Sequence, residues 1–229
     1  RWALPLPSTD ALRADLAASL QDTLALLQDA EETDLGLYFF RLALFHEDMH
    51  AEAAVYMAQT LGFDPGEAAC PNGADSPAPS ALAAPTLQLP ATAWTLGAPG
   101  PGFAFDNECG RQPTEVPAFE IDAAPVTWGA YLPFVESGGY AQRRCWSEAG
   151  WAWRQASGAQ APRHLRREPG GWAQRVFGRW QPLDASAPAC HLNAFEAQAW
   201  CAWAGRRLPT EAEWELAAHT ARGFEWGQV

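Results

Sequence analysis

Apolar residues recur at every third or fourth position in the first part of the chain, which is the spacing of one helical face. The leucines of this repeat are Leu12, Leu16, Leu20, Leu24 and Leu27. Just before them, Ser8, Thr9 and Asp10 offer side-chain oxygens that can accept hydrogen bonds from the first free amide groups of a helix. The pattern predicts a first amphipathic helix that begins at this cap.

A second helical pattern begins near Asp34 and ends at Gly62, a residue type that commonly terminates helices. Successive helical residues turn by about 100°, so six side chains fall within about 40° of one line: Phe39, Leu42, His46, His50, Ala53 and Met57. Two imidazoles therefore share an apolar face, and we expect both to point into an apolar interior. Glu52 is turned from His50 by about 200° and would act only as a supporting hydrogen-bond acceptor.

Three roles fit the histidine pair. Neutral imidazoles suit transition metals such as zinc or Fe(II), which makes His46 and His50 candidate metal ligands. They also fit as core residues whose ring N–H groups donate to carbonyl oxygens. The stretch matches the H-E-x-x-H pattern of zinc proteases as well, with Glu47 as the general base. Tyr56 stands where the extended pattern has a third histidine, although Glu67 could serve as the missing ligand.

The second half of the chain has a different pattern. From about residue 65 to 90 it is rich in Pro, Ala, Ser and Gly without periodicity, which is typical of a surface connection. Short apolar runs at 94–97 and 116–121 then predict strands. Residues 138–185 are rich in Gly, Trp and Arg and have little periodicity, so we expect loops held by aromatic packing more than by strand ladders there.

Three short helices are predicted from their caps. The capping residues are Thr127, Asn193 with Glu196, and Thr210 with Glu213. Gly205 should end the second of these helices, and the third, over 211–218, should carry Trp214 inward. The two long helices, the three short helices and the strands predicted at 94–97 and 116–121 together indicate the α+β fold class.

Composition and charge narrow the function classes. The 229 residues are 48% hydrophobic, enough for a packed core, and the net charge of -12 disfavours binding to nucleic acid or to an anionic membrane surface. The five cysteines lack paired metal spacing: Cys70, Cys109, Cys145, Cys190 and Cys201. We therefore expect reduced thiols, and the sequence contains neither an apolar run long enough to span a membrane nor a signal peptide. These features predict a cytoplasmic protein, and its charge favours small-molecule substrates.

Four segments carry a resemblance to a known family. They are His46–Glu52 (H-E-D-M-H-A-E), Phe103–Glu108, Pro125–Thr127 with the stretch 138–151, and Ala204–Glu215, which contains R-R-L-P-T-E-A-E-W-E. The chain resembles the ergothioneine-type sulfoxide synthases, in which a DinB-like helical bundle precedes a formylglycine-generating-enzyme-like domain of C-type lectin topology. The resemblance implies a partial DinB-like iron-binding domain at 1–66, a Pro/Ala-rich linker at 67–92 and a C-terminally incomplete lectin-like domain at 93–229.

The resemblance also implies a chemistry. His46 and His50 would bind Fe(II), with Met49 facing the substrate where related enzymes often have glutamine. O2 would be a co-substrate, and the substrates would be trimethylhistidine (hercynine) and a selenosugar or thiol. We expect a third iron histidine before Arg1 and further substrate-binding residues after Val229.

The opening segment 1–7 and the histidine helix are most similar to the selenoneine synthase branch of this family. A sulfoxide synthase with a cysteine or γ-glutamylcysteine donor is the alternative. Two other classes stay open, a zinc metalloprotease and a lectin-like binding module whose histidines only fill the core.

Other candidate residues have structural interpretations. His164, His191 and His219 lack a carboxylate or cysteine at ligand spacing and are expected to be structural or surface residues. The resemblance to formylglycine-generating enzymes would allow a copper or redox role for Cys190 and Cys201, but burial as small apolar residues is the favoured interpretation. Arg206 and Arg207 could bind a donor carboxylate, and their motif favours a structural role.

Overall fold

The computed structural model of the protein describes residues 6–64, 66, 85–98 and 100–224. The chain divides into two compact units, Arg1–Ala54 with Gly97–Arg111, and Val55–Leu96 with Gln112–Val229. The helices of the described residues are α1 (Thr9–Gln28), α2 (Tyr38–Leu61), α3 (Trp128–Glu136), α4 (Glu148–Ser157), α5 (Ala194–Trp203) and α6 (Glu211–Thr220). Their strands are β1 (Thr86–Leu89), β2 (Thr92–Leu96), β3 (Gln112–Val116), β4 (Phe119–Asp122), β5 (Leu165–Glu168), β6 (Gly171–Val176) and β7 (Arg179–Pro182).

Helix α1 forms as predicted but leaves its apolar face uncovered. Ser8 is the N-cap, and its hydroxyl oxygen accepts a hydrogen bond from the amide of Ala11 at 3.2 Å. No residue of α1 is buried against the rest of the described chain, and Leu16 and Leu20 are 70% and 57% exposed. An amphipathic helix gains most of its stability when neighbouring elements cover its apolar stripe. The described residues do not provide that cover.

Helix α2 begins later than predicted. Its first residue is Tyr38. The carboxylate of Asp34, the predicted start, instead accepts hydrogen bonds from the side chain of Arg41 at 2.7 Å and from the backbone amide of Gly102 at 2.8 Å. The predicted end is confirmed, because α2 stops before Gly62, whose φ of +79° favours glycine.

The last turns of α2 are fixed to the β6–β7 turn. Gln59 is buried, its amide nitrogen donates to the carbonyl oxygen of Arg175 at 2.8 Å, and its amide oxygen accepts from the amide of Phe177 at 2.7 Å. The backbones of Gly62 and Gly178 meet so closely that a Cβ on Gly178 would lie 2.4 Å from the Gly62 carbonyl oxygen. Only glycine fits there.

The first four strands of the chain form two antiparallel pairs in the second unit. β1 pairs with β4, and β2 pairs with β3. The predicted strand at 94–97 is the end of β2, whereas the run at 116–121 is divided between β3 and β4 because Pro117 interrupts it. Most of the predicted linker, 67–92, lies outside the described residues, but its last part contains β1, and the side chain of Leu89 is buried.

Aromatic side chains form the largest core. Its buried members are Trp128, Tyr131, Phe134, Tyr140, Cys145, Trp146, Leu165, Ala199, Trp200 and Cys201. Phe134 is fully buried, and its ring centroid lies 5.6 Å from that of Tyr140 and 6.0 Å from that of Trp203. A Cβ on Gly139 would lie 2.1 Å from the Phe134 ring, so this position requires glycine. The aromatic packing predicted for this region is confirmed.

The region 138–185 contains more regular structure than predicted. It includes helix α4 and a three-stranded antiparallel sheet in the order β5-β6-β7. Phe177 and Gly178 both have positive φ, 44° and 83°, and form the two-residue turn between β6 and β7. Such turns match the twist of a hairpin. The minor part expected of strand ladders in this region was an underestimate, because the strands are short and carry Arg and Trp rather than alternating apolar residues.

The predicted helix caps are confirmed. Thr127 caps α3, and the Asn193 and Thr210 side chains each accept from the amide three residues on. In both capping boxes the glutamate returns the bond: Glu196 accepts from the amide of Asn193 at 3.0 Å, and Glu213 from that of Thr210 at 2.8 Å. These caps position α5 and α6.

The inward orientation predicted for Trp214 was wrong. Its side chain is 42% exposed, whereas Leu216 and Ala217 of α6 are 2% and 0% exposed and pack in a second core with Leu89 and Val116. The burial of α6 therefore follows small and aliphatic residues rather than its tryptophan. The α+β class is confirmed. A DinB-like bundle and a lectin topology stay predictions.

Within the described part of the chain, no helix combines the length and apolar character that a membrane crossing requires.

Candidate metal centre

The histidine pair lies in the middle of α2 with its rings close together. The ring centroids of His46 and His50 are 4.4 Å apart and the ring planes are inclined by 48°. Both residues are exposed, and the side chain of His50 is 60% accessible. The expected apolar interior around the two histidines is therefore not found among the described residues. No described element covers this face of α2, just as none covers the leucine face of α1. Helical spacing alone brings the two rings together.

A carboxylate one turn earlier contacts the second imidazole. Oε1 of Glu47 lies 3.5 Å from Nδ1 of His50. A carboxylate at one ring nitrogen of a metal-binding histidine orients the ring and leaves the other nitrogen, here Nε2, for the ion. The supporting acceptor was predicted at Glu52, whereas the contact observed is with Glu47.

The pair supplies part of a metal site. Metal–nitrogen bonds to histidine are about 2.0–2.1 Å long, so rings at this separation can direct one nitrogen each toward a common ion. No group of three or more His, Cys, Asp or Glu side chains that could hold a metal occurs in residues 6–64, 66, 85–98 and 100–224. Glu67, the candidate third ligand of a zinc site, lies outside the described residues. The two imidazoles fit Fe(II), for which two histidines and one further ligand form a facial set with open positions.

Met49 follows an aromatic stripe of α2 that runs beside the histidines. It is 51% exposed. By helical geometry Met49 is turned from His46 by about 60° and from Phe45 by about 40°. Tyr38 and Phe45 lie close to the same line, about three turns and one turn before Met49 respectively. The methionine is thus placed between an aromatic surface and the imidazole pair.

Residues 100–105 form a loop that packs on this aromatic stripe. The ring of Phe103 stacks on Phe45 with centroids 4.9 Å apart, lies 5.4 Å from Tyr38 and meets Phe105 at 5.1 Å. This contact was not predicted from the sequence, although 103–108 was one of the segments that carried the family resemblance. Pairing such a segment with a helix some 60 residues earlier requires tertiary structure.

The remaining histidines have structural surroundings. His164 is buried, and its ring meets that of His191 edge to face at 5.3 Å. Burial lowers the pKa of both imidazoles, which favours their neutral forms. His219 is exposed, and its ring lies 5.9 Å from Trp94. These positions agree with the predicted structural and surface roles.

Arg206 and Arg207 are engaged in ion pairs. Arg206 pairs with Asp122, and Arg207 donates two hydrogen bonds to Glu213 at 2.7 and 2.5 Å. The bond from Arg207 is the main cause that lowers the pKa of Glu213 to about 2. Both arginines therefore hold the structure around α6, as their motif indicated.

The two cysteines near α5 have different surroundings. Cys201 is buried and Cys190 is exposed. Burial raises the pKa of the Cys201 thiol, which is therefore not activated as a thiolate. Cys201 lines a cavity of about 660 Å³ together with Trp200 and Arg206. Burial as an apolar residue is confirmed for Cys201 and is wrong for Cys190, which lies in an exposed segment before α5.

Fold and site together define a mixed α+β module whose capping-box helices follow an imidazole-bearing helix along the chain. Residues 76–229 match the sulfatase-modifying factor enzyme 1-like domain family, also called FGE-sulfatase. This match covers more than half of the chain. The protein belongs to the FGE-sulfatase family.

Similar curated proteins extend the match to the histidine helix. The hercynine oxygenase of Mycolicibacterium smegmatis is 36% identical over 239 residues, covering 100% of this chain and 54% of the relative. The hercynine oxygenase of Mycobacterium tuberculosis is 36% identical over 252 residues, with 99% and 54% covered. The formylglycine-generating enzyme of Mus musculus is 28% identical over 176 residues, 70% of this chain and 47% of that protein. The chain thus spans about half the length of these curated relatives.

Proposed function

We propose that this protein is an oxygen-dependent mononuclear nonheme Fe(II) enzyme that forms a carbon–selenium or carbon–sulfur bond on the imidazole of hercynine. One observation carries the proposal: His46 and His50 place two imidazoles 4.4 Å apart within a chain that aligns along its whole length with hercynine oxygenases. The likeness to formylglycine-generating enzymes covers less of the chain. The histidine helix therefore favours the hercynine enzymes as the functional guide.

The proposed roles of the residues combine the family resemblance with the geometry of α2. His46 and His50 hold the iron through neutral imidazole nitrogens, and Glu47 keeps the His50 ring oriented through its Nδ1. Bound Fe(II) would supply the binding and activation of O2. Met49 faces the organic substrate from the neighbouring stripe of α2. The coupling would break a C–H and an S–H or Se–H bond and form the C–S or C–Se bond, with O2 as the oxidant. For a sulfoxide or selenoxide product, one oxygen atom of O2 would stay on the sulfur or selenium and the other would leave as water with the two hydrogens.

We extend the proposal to the organisation of the chain. Residues 1–66 would belong to a DinB-like iron-binding domain, 67–92 to a linker and 93–229 to a lectin-like domain of the formylglycine-generating-enzyme type. The exposed leucine face of α1 supports the first assignment, because a helix with this pattern is suited to a bundle. The family match at 76–229 supports the last.

The donor defines two versions of the proposal. The similarity of 1–7 and of the histidine helix to the selenoneine synthase branch favours a selenosugar. The alternative donor is cysteine or γ-glutamylcysteine, which would make the protein an ergothioneine sulfoxide synthase. Both versions share hercynine, Fe(II) and O2.

Metal analysis and oxygen uptake test the proposal. The full-length protein, purified without oxygen and loaded with Fe(II), is mixed with hercynine and each donor in turn, and O2 consumption and the coupled product are measured. Uptake that requires both hercynine and a donor supports the proposal, and the donor that gives product decides between its two versions. Bound zinc with peptide cleavage that Glu47→Gln abolishes would instead establish the protease.

A further inference from the structure

A carboxylate holds the aromatic loop against helix α2. Asp34, which precedes α2, accepts a hydrogen bond from Arg41 at 2.7 Å and one from the backbone amide of Gly102 at 2.8 Å. Arg41 lies in the first turn of α2 and Gly102 in the loop, so a single carboxylate joins the two segments. The hydrogen bond from Arg41 is the main cause that lowers the pKa of Asp34, which keeps the carboxylate charged.

The loop so held carries two phenylalanines onto a partly exposed surface. Phe103 packs on Phe45 and Tyr38, and Phe105 meets both Phe103 and Phe45. These rings are not fully buried, and Phe45 is 43% exposed. Immediately after Phe105, the turn Asp106–Glu108 adds two exposed carboxylates. Aromatic faces with nearby carboxylates are a favourable environment for an organic cation.

The position of this surface around α2 relates it to the histidines. Phe45 and Met49 lie on one line along the helix, and His46 is turned from Met49 by about 60°. Phe45 is also the residue before His46 in sequence. The aromatic surface therefore borders the imidazole pair on the side of Met49.

We infer that Asp34 is a positioning residue for this surface: it holds loop 100–105 on α2 so that Phe103 and Phe105 form an aromatic wall for the trimethylammonium group of hercynine. This inference rests on the proposed function and names the part of the site that recognises the cationic end of the substrate. A quaternary ammonium group donates no N–H hydrogen bond, so aromatic faces and carboxylates are its natural partners.

Binding measurements on the Fe(II)-loaded, oxygen-free, full-length protein test this role. Calorimetry compares hercynine with histidine, which has the same imidazole but lacks the three methyl groups. Phe103→Leu keeps an apolar side chain and removes the aromatic face, so it should weaken hercynine binding by about three- to tenfold and histidine binding by less than about twofold. Fe(II) affinity should stay unchanged, because the histidine helix is intact.

A second variant tests the positioning by Asp34. Asp34→Asn removes the charge that pairs with Arg41; it should accelerate hydrogen exchange at the Gly102 amide and weaken hercynine binding by a factor similar to that of Phe103→Leu. Asp34→Glu keeps the negative charge, so its hydrogen exchange at Gly102 and its hercynine binding should lie between those of Asp34→Asn and the wild type. Asp22→Asn, the same change on an exposed position of α1, is the matched control and should change neither.

Each outcome decides a separate point. If Phe103→Leu leaves hercynine binding unchanged, or weakens histidine equally, the aromatic wall is refuted. Unaltered Gly102 exchange in Asp34→Asn refutes the positioning role, and if that variant does not fold, the Phe103→Leu result alone decides the inference. A wild-type protein that binds no hercynine would refute the proposed function itself, and this inference with it.

Discussion

The two units of the molecule differ in whether their apolar helix faces are buried. Helix α1 has the more regular apolar repeat, yet the described chain buries none of it. Helix α3 is only nine residues long, yet Trp128, Tyr131 and Phe134 are each no more than 1% exposed. The difference shows that periodicity identifies a helix, whereas burial depends on which elements lie opposite it.

The two units also differ in the burial of their charged and titratable side chains. In the second unit, buried carboxylates are satisfied internally: Glu196 accepts from the Tyr140 hydroxyl at 2.6 Å, and Glu213 binds Arg207. In the first unit, the groups with metal-binding capacity, His46 and His50, are exposed. The buried cores lie in the second unit, whereas the proposed chemistry would depend on the exposed histidines of the first.

The largest expected effect tests this division directly. His50→Ala should abolish iron binding and turnover, because one imidazole of the pair is lost, while the unfolding of the second unit stays unchanged. Iron content, oxygen uptake and near-ultraviolet circular dichroism measure the three quantities. His219→Ala, an exposed histidine in α6, is the control. Retention of iron by His50→Ala would contradict the proposed site.

Truncating an apolar side chain should lower the free energy of unfolding much more in the second unit than in the first. Phe134→Ala removes a fully buried ring, and we expect it to lower the free energy of unfolding by about 3–5 kcal/mol. Leu20→Ala in α1, at a position 57% exposed, should cost less than about 1 kcal/mol. Denaturant unfolding of both variants of the 229-residue chain measures the contrast. Equal losses would show that α1 is buried in solution.

The ion pair of α6 should make the second unit sensitive to acid. The pKa of Glu213 is lowered from 4.5 to about 2, so its stabilising contribution is present above pH 4.5 and is lost as the pH falls toward 2. Glu213→Gln should cost about 1–2 kcal/mol at pH 7, a modest value because solvent screens the exposed Arg207. It should also flatten the fall of the thermal midpoint between pH 5 and pH 2. An unchanged acid profile would contradict this assignment.

The smallest effect compares one cap in each unit. Thr210→Ala removes the cap of a helix that carries core residues and should lower the free energy of unfolding by about 1 kcal/mol. Ser8→Ala removes the equivalent cap of α1 and should reduce only local helicity, because α1 contributes no buried residue to the described core. Denaturant unfolding followed by circular dichroism distinguishes global from local loss. A global loss in Ser8→Ala would indicate that α1 is coupled to the core.

Local signals predicted much of the fold. The caps at Ser8, Thr127, Asn193 and Thr210 were correct because each depends on a side chain and an amide three residues apart. The start of α2 was missed because Asp34 takes part in a contact with Gly102, far along the chain. Trp214 was misplaced because the side of α6 that is buried depends on the packing of β1 and β3.

The candidate site shows the same limit. The closeness of His46 and His50 follows from a spacing of four on a helix and needs no other part of the protein. The exposure of these rings and the contact of Phe103 with Phe45 could not be predicted from the pattern, since they depend on residues about 60 positions apart.

The sequence by itself determined helices α1, α3, α5 and α6 with their caps, most of α2 and the pairing of two imidazoles, because these depend on neighbours within four residues. Tertiary structure alone decided which faces are buried, that the short Arg- and Trp-rich strands β5, β6 and β7 form a sheet, and that Asp34 accepts a hydrogen bond from Gly102 in the aromatic loop. Those features arise from contacts between distant segments, whose free energy depends on the shapes brought together and not on the period of either segment.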